Sequence, residues 1–265
     1  VLDDSERELC RKLVEKHIRA DYPSYKGPVE MPERPQGLER VTVDLDGTPT
    51  EMLQIGTARF PVRKPTGNPE LDEQVPDLSK LGEPVGEQFE FLESVLLAIE
   101  LNQPVAIVGA TGTGKTMQLM RLAAEIGAPF LEQAFHADMT EGHLFGTEVI
   151  TEDGRVEFKY SPLDVAAIEG AWYNGDELLT LPNQPRESLN PVNEGSEIQI
   201  PSRPRRVLKK KTDDVDNRWH EDFRIIYTTN GDDIREDGFS DPEASRLRRV
   251  GLRQLRAYKD LLTIG

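Results

Sequence analysis

The chain has 265 residues, with 32 Lys and Arg against 48 Asp and Glu, a formal net charge of −16 and a pI near 4.8. That length accommodates one large domain, or a domain with an extension. The apolar fraction of 37% can fill a core, and the charge balance argues against a general binder of nucleic acid or anionic membrane, because the overall field repels phosphate. An acidic surface adapted to a salty cytoplasm and an ordinary acidic protein both satisfy these numbers.

In chain order, Ser5-Glu6-Arg7-Glu8 is a capping-box pattern, and Leu9, Leu13, Val14 and Ile18 recur at helical spacing. Residues 5–20 therefore read as an amphipathic helix. Cys10 on this helix is the sole cysteine. It excludes an internal disulfide and a thiolate metal site and suits a reducing, cytoplasmic setting. A chain opening at Val1 reads as a processed or excised piece, with no signal-peptide core and no apolar run of membrane-spanning length. Residues 23–35, rich in Pro, Gly and Glu, read as a linker. Strand-like segments at 39–46 and 50–62 flank Asp46-Gly47, a hairpin signal. A second Pro- and Gly-containing stretch follows at 63–86. The expected organisation is a small α+β N-terminal extension at residues 1–81 and a core at 82–265.

From Phe89 the pattern changes. FEFLESVLLAIELNQ reads as a helix, PVAIVG as a buried strand, and MQLMRLAAEIG as a helix stopped by Gly127 and Pro129. Further strands are expected near 130–135, 156–160, 171–174 and 223–229. Strands alternating with helices predict an α/β domain with a parallel sheet.

GATGTGKT, residues 109–116, has the spacing of a phosphate-binding loop. Gly109, Ala110, Thr111, Gly112, Thr113 and Gly114 would bring backbone N–H groups together around an anion at a helix N-terminus. Lys115 would reach the β- and γ-phosphates of ATP, and the Thr116 hydroxyl would ligate Mg2+. A hydrolase also needs a carboxylate near the metal and a group that orients water. Asp176-Glu177 is a candidate for both, yet Asn174-Gly175 directly before it is a strong turn signal, so the pair can equally follow a surface hairpin. HEDFRIIYTTN, residues 220–230, is a strand ending in Asn230. On a parallel sheet Asn230 would lie near Lys115 and Asp176, where its amide could orient water or touch the γ-phosphate. An Asn before Gly231 is also an ordinary turn residue.

GATGTGKT, GDELLTLP, LNPVNEGSEIQIP and HEDFRIIYTTN, in that order, resemble the AAA+ ATPases of the MoxR-type group, which includes the CbbQ, NorQ and GvpN ATPases. HADMTEGHLFG at 136–146 is similar to the segment after the second strand of that group. The resemblance covers about residues 82–255. It implies a three-layer P-loop NTPase core with inserted β-hairpins, ATP and Mg2+ as ligands, and a homo-oligomeric ring such as a hexamer acting on a protein substrate. Residue by residue it implies Lys115 and Thr116 on nucleotide and metal, Asp176 in the Mg2+ shell, Glu177 as the water-activating base and Asn230 as sensor 1. TEVITEDGRVEFKY, turning at Asp153-Gly154, and SEIQIPSRPRRVL take the places of the two family hairpins. Ser245-Arg246-Leu247 takes the place of the arginine finger, with Arg248 and Arg249 as alternatives. The helical lid that follows in the family does not fit in the ten residues after Leu255, so a missing or truncated lid is expected. The phosphate loop before the acidic pair and the sensor-like strand after it place the pair on the third strand of the core rather than after a hairpin turn. Gly175 would then let the backbone pass the phosphate loop, and a buried Asn174 would need a partner or cost about 1–3 kcal/mol.

Arg203, Arg205, Arg206, Lys209, Lys210 and Lys211 form a local basic patch. Without stacking aromatics, and with Asp213, Asp214 and Asp216 just after it, the patch reads as a solvated or intersubunit loop rather than a nucleic-acid surface. His17, His136, His143 and His220 are too scattered for a metal site. Trp172 and Trp219 read as packing residues. The alternatives to a partner-remodelling ATPase are a nucleic-acid-acting motor, a small-molecule kinase, which would have no use for Asn230 or the hairpins, and a non-hydrolysing scaffold.

Overall fold

Glycines and apolar periodicity set the first described elements. The computed structural model describes residues 37–45, 47–84, 87–202, 205–231 and 245–251, which fall in one unit. The helix expected at 5–20, the linker at 23–35, Arg203 and the segment after Gly251, where the lid was expected to be lacking, lie outside them. Strand β1 (Leu38–Leu45) pairs antiparallel with β2 (Thr48–Ile55), Leu45 facing Thr48, with Gly47 in a turn just before β2. Gly47 takes φ 83° there, and its N–H donates to Asp44 Oδ1 at 2.6 Å. The strand expected over 50–62 is two strands, because Gly56, at φ 56°, turns the chain into β3 (Ala58–Pro61). A one-turn helix α1 (Pro69–Asp72), capped by Asn68, leads on toward α2 (Glu87–Glu100).

The β2–β3 turn is docked on α2: Thr57 N and Oγ1 donate to Glu93 Oε1 at 2.8 and 2.7 Å. Leu53, Ile55, Ala58 and Phe60 are buried in one cluster with Leu92, Val95, Leu96 and Ile99 of that helix. The boundary expected between residues 81 and 82 therefore runs through a shared apolar core.

Strand β4 (Val105–Gly109) is buried at every residue, as a central parallel strand must be when both faces are covered. It feeds helix α3 (Lys115–Ile126), which ends at Gly127 in the left-handed conformation, φ 77°. Then come β5 (Phe130–Ala134), α4 (Glu141–Leu144), the hairpin β6 (Thr147–Ile150) with β7 (Val156–Lys159), α5 (Pro162–Glu169) and β8 (Trp172–Asp176). Short helices α6 (Asn183–Glu187) and α7 (Asn190–Asn193) precede the hairpin β9 (Glu197–Ile200) with β10 (Arg206–Lys209), followed by β11 (Arg224–Asn230) and β12 (Arg248–Gly251). Both inserted hairpins are antiparallel pairs, as expected, and Gly154 makes the first turn at φ 78°.

The main sheet has the order β12-β4-β11-β8-β5, and all its neighbouring pairs are parallel. Alternation along the strands divides the core into two layers. Val105, Ile107, Trp172, Ile226 and Val250 face α2, α3 and the β2–β3 ribbon, while Ala106, Tyr173, Ile225 and Tyr227 face α5 and the β9–β10 hairpin. The fold is a three-layer α/β P-loop core. Because the strands are parallel, Gly109, Asp176 and Asn230 end on the same edge.

Candidate nucleotide site

Residues 109–116 connect β4 to α3. Gly112 and Gly114 adopt φ 80° and 83°, a region that L side chains rarely enter. Gly114 is the N-cap of α3 and carries no side chain to bond the first-turn N–H groups. Those donors and the helix dipole are presented at the mouth of the loop, a setting that favours an anion. The Lys115 ammonium donates to Gly109 O at 2.8 Å, to Ala110 O at 3.1 Å and to Asn230 Oδ1 at 3.0 Å. Burial pushes its pKa below the ordinary lysine value, against the opposing pull of Asp176 and Glu177.

Asn174-Gly175 lies on a strand, as expected. Strand β8 runs through both residues to Asp176, paired on each side by β5 and β11. Glu177 follows in the left-handed conformation at φ 63°, which costs an L-residue about 1–2 kcal/mol. Its carboxylate accepts a hydrogen bond from Asn230 Nδ2. The Asn230 amide thus joins the loop lysine on one side to Glu177 on the other, while Thr228 Oγ1 on the same strand donates to Asp176 Oδ1. Lys115, Asp176, Glu177 and Asn230 come together at one sheet edge, and Thr116 opens the helix beside them. The donor set suits Mg2+: a hydroxyl and a carboxylate, leaving other positions for phosphate and water. Among the described residues no group of three or more His, Cys, Asp or Glu could hold a metal ion without such help.

Gly175 has another reason than the one expected. A Cβ there would lie 2.6 Å from two ring carbons of Phe135 and 2.9 Å from Tyr227 Cδ1, so the glycine makes room for aromatic packing behind the site rather than for the phosphate loop. Asn174 is fully buried and neither side-chain polar atom has a hydrogen-bond partner. Its register neighbour Glu132 is near enough for the amide dipole to favour the carboxylate, without a closed bond. Burial first, and the charge of Asp176 second, nonetheless raise the Glu132 pKa.

Arg246 is not at this edge. Arg248 pairs with Val105, the first residue of β4, so Arg246 lies at the opposite end of the sheet from the loop. It bonds Glu194 Oε1 through Nε at 2.5 Å. The basic patch is largely tied to its own chain: Arg205 bonds Gln199, Arg206 donates to Asp216 O at 2.5 Å, and Lys210 donates to Asn102 O at 3.3 Å. His143 accepts from Thr140 N at 3.0 Å as a helix-capping residue, 6.3 Å ring to ring from His136. Trp172 and Trp219 are buried in the two core layers. Thr228 carries no distinguishing signal in the sequence. A threonine in an apolar strand is an ordinary β-former, and nothing local marks its register opposite Asp176.

Residues 104–247 match the family of the AAA domain, dynein-related subfamily. The match spans more than half the chain, and the chain belongs to that family. Two curated relatives agree with it. One is midasin of Dictyostelium discoideum, 30% identical over 114 residues, 42% of this chain and 2% of that protein. The other is protein CbbQ of Hydrogenophilus thermoluteolus, 28% identical over 146 residues, 55% of this chain and 50% of that protein. The CbbQ match agrees with the MoxR-type resemblance. The chain thus spans half or less of the length of these relatives. A crystal structure of a candidate ATPase from Cytophaga hutchinsonii overlays with a TM-score of 0.48 at 16% identity, over 74% of this chain and 52% of that one.

Proposed function

We propose that this chain binds ATP with Mg2+ and hydrolyses it, and that it works in a ring of identical subunits to remodel or assemble a protein partner. The convergence of Lys115, Asp176, Glu177 and Asn230 carries the reading, because these groups supply what phosphoryl transfer to water requires. In this reading the loop N–H groups and Lys115 hold the phosphates, the ammonium exchanging backbone carbonyls for phosphate oxygens. Thr116 and Asp176 would hold Mg2+, which when bound offsets charge on the phosphate oxygens. Glu177 takes the proton of the attacking water, and Asn230 fixes the carboxylate that does so. The reducing setting suggested by the single cysteine supports a cytoplasmic place. A nucleic-acid motor is the less favoured reading, since the described cations of the basic patch bond mostly to their own chain.

Glu177→Gln is expected to keep ATP binding and to lower turnover by about a hundredfold or more, the usual weight of a general base. Lys115→Ala should weaken binding itself. Single-turnover hydrolysis beside equilibrium binding of an ATP analogue separates the two, and equal turnover in wild type and Glu177→Gln would overturn the assignment.

A further inference from the structure

We infer that Thr228 is a positioning residue for the metal-binding carboxylate: its hydroxyl fixes Asp176 so that one carboxylate oxygen is held by the protein and the other is left to the metal shell. The inference rests on the nucleotide site proposed above and adds a residue to it. In the β8–β11 register Tyr227 faces Gly175, so the next pair brings Thr228 beside Asp176. Thr228 is fully buried, and its Oγ1 bonds Asp176 Oδ1. An ionised carboxylate has no proton to give, so the threonine is the donor. A buried hydroxyl in that place cannot be replaced by bulk water when it is lost. The neighbouring Thr229 points to the other face of the strand and cannot substitute. The bond also ties the metal-shell carboxylate of β8 to the strand that carries Asn230, so both groups are set from one backbone.

Groups that orient a metal ligand typically govern affinity for the metal by about 10–100-fold. The test uses the full chain and a fluorescent ADP analogue, with binding followed as Mg2+ is titrated. Thr228→Val keeps the shape and removes the donor, and it is expected to raise the Mg2+ concentration at half-effect by about tenfold. Metal-free affinity for the analogue should not change, which a general loss of folding would not allow. Thr228→Ser, which keeps the hydroxyl, should stay within about threefold of wild type. Thr228→Ala should reproduce the shift if Val is not tolerated beside Asp176. An unchanged Mg2+ dependence in both Thr228→Val and Thr228→Ala overturns the inference, as does a wild type whose analogue binding ignores Mg2+. A wild type that binds no nucleotide with or without metal overturns both the inference and the function beneath it, and is distinguishable on that ground.

Discussion

Gly175 leaves no space for a methyl group, since the rings of Phe135 and Tyr227 close over its α-carbon. Both rings sit in a packed core, so Gly175→Ala is expected to cost about 1–3 kcal/mol in urea denaturation through forced repacking. Strand β8 displaced in this way would also move Asp176. Asp164 on α5 makes a second case. It is fully buried, its Oδ2 accepts from Ser161 N at 3.0 Å, and its Oδ1 has no partner. Burial raises its pKa from 3.8 to about 6, partly opposed by its bonds to Ser161. Between those two values the folded chain holds a proton that the unfolded chain releases. Stability contributed here is therefore lost as pH rises through that window, by roughly 3 kcal/mol at most. Asp164→Asn removes the charge but leaves an amide N–H short of an acceptor. The variant should be about 1–2 kcal/mol more stable than wild type at pH 8, with the advantage vanishing by pH 4. Denaturation curves of both proteins across pH 4–8 measure the difference directly.

Among elements, the β1–β2–β3 ribbon shows how far packing departs from chain pattern. Proline-rich stretches on either side make it look like a detachable extension. In the fold, Leu53, Ile55 and Phe60 are almost wholly buried against α2. Large aliphatic and aromatic side chains each stabilise a core by about 1.5–3 kcal/mol when buried. Losing the ribbon thus removes an amount comparable with the whole stability of a domain, about 5–15 kcal/mol. A chain spanning residues 82–265 is expected to show no cooperative thermal transition by circular dichroism, whereas one spanning 36–265 melts cooperatively. A sharp melt for the shorter chain would restore the boundary at 81. The elements themselves were largely legible. Positive-φ glycines at 47, 127 and 154 end or turn elements where the residue pattern says they should. The break at Gly56 was missed because its demand is set by Glu93, 37 residues further on, whose carboxylate receives the turn.

At the scale of the whole molecule, Arg246 decides between a site complete in one subunit and one shared between two. It lies at the far end of β4 from Lys115 and so cannot serve the nucleotide of its own chain. If it is the finger, it acts on a neighbour in a heterologous ring contact. Glu177→Gln and Arg246→Ala should then each be nearly inactive alone. Mixed in equal amounts, they should regain about a quarter of wild-type turnover, because a quarter of the contacts pair an intact base with an intact arginine. Turnover that stays at the level of the separate variants after subunit exchange removes Arg246 from that role and leaves Arg248 or Arg249 to be tested in the same way.

What the sequence by itself determined is local. The glycine spacing of the phosphate loop, the lysine and threonine that open α3, and the turn of the first inserted hairpin each depend on a few adjacent residues and on φ values that only certain residues take. The order of these motifs carried the fold class and the family. Only the tertiary structure decided that Gly175 makes room for the rings of Phe135 and Tyr227, that Asn230 bridges Lys115 and Glu177, and that Thr228 holds Asp176. Those outcomes depend on the register of parallel strands that lie far apart in the chain. Register is set by the packing of both faces of the sheet at once, a condition no short stretch of sequence contains.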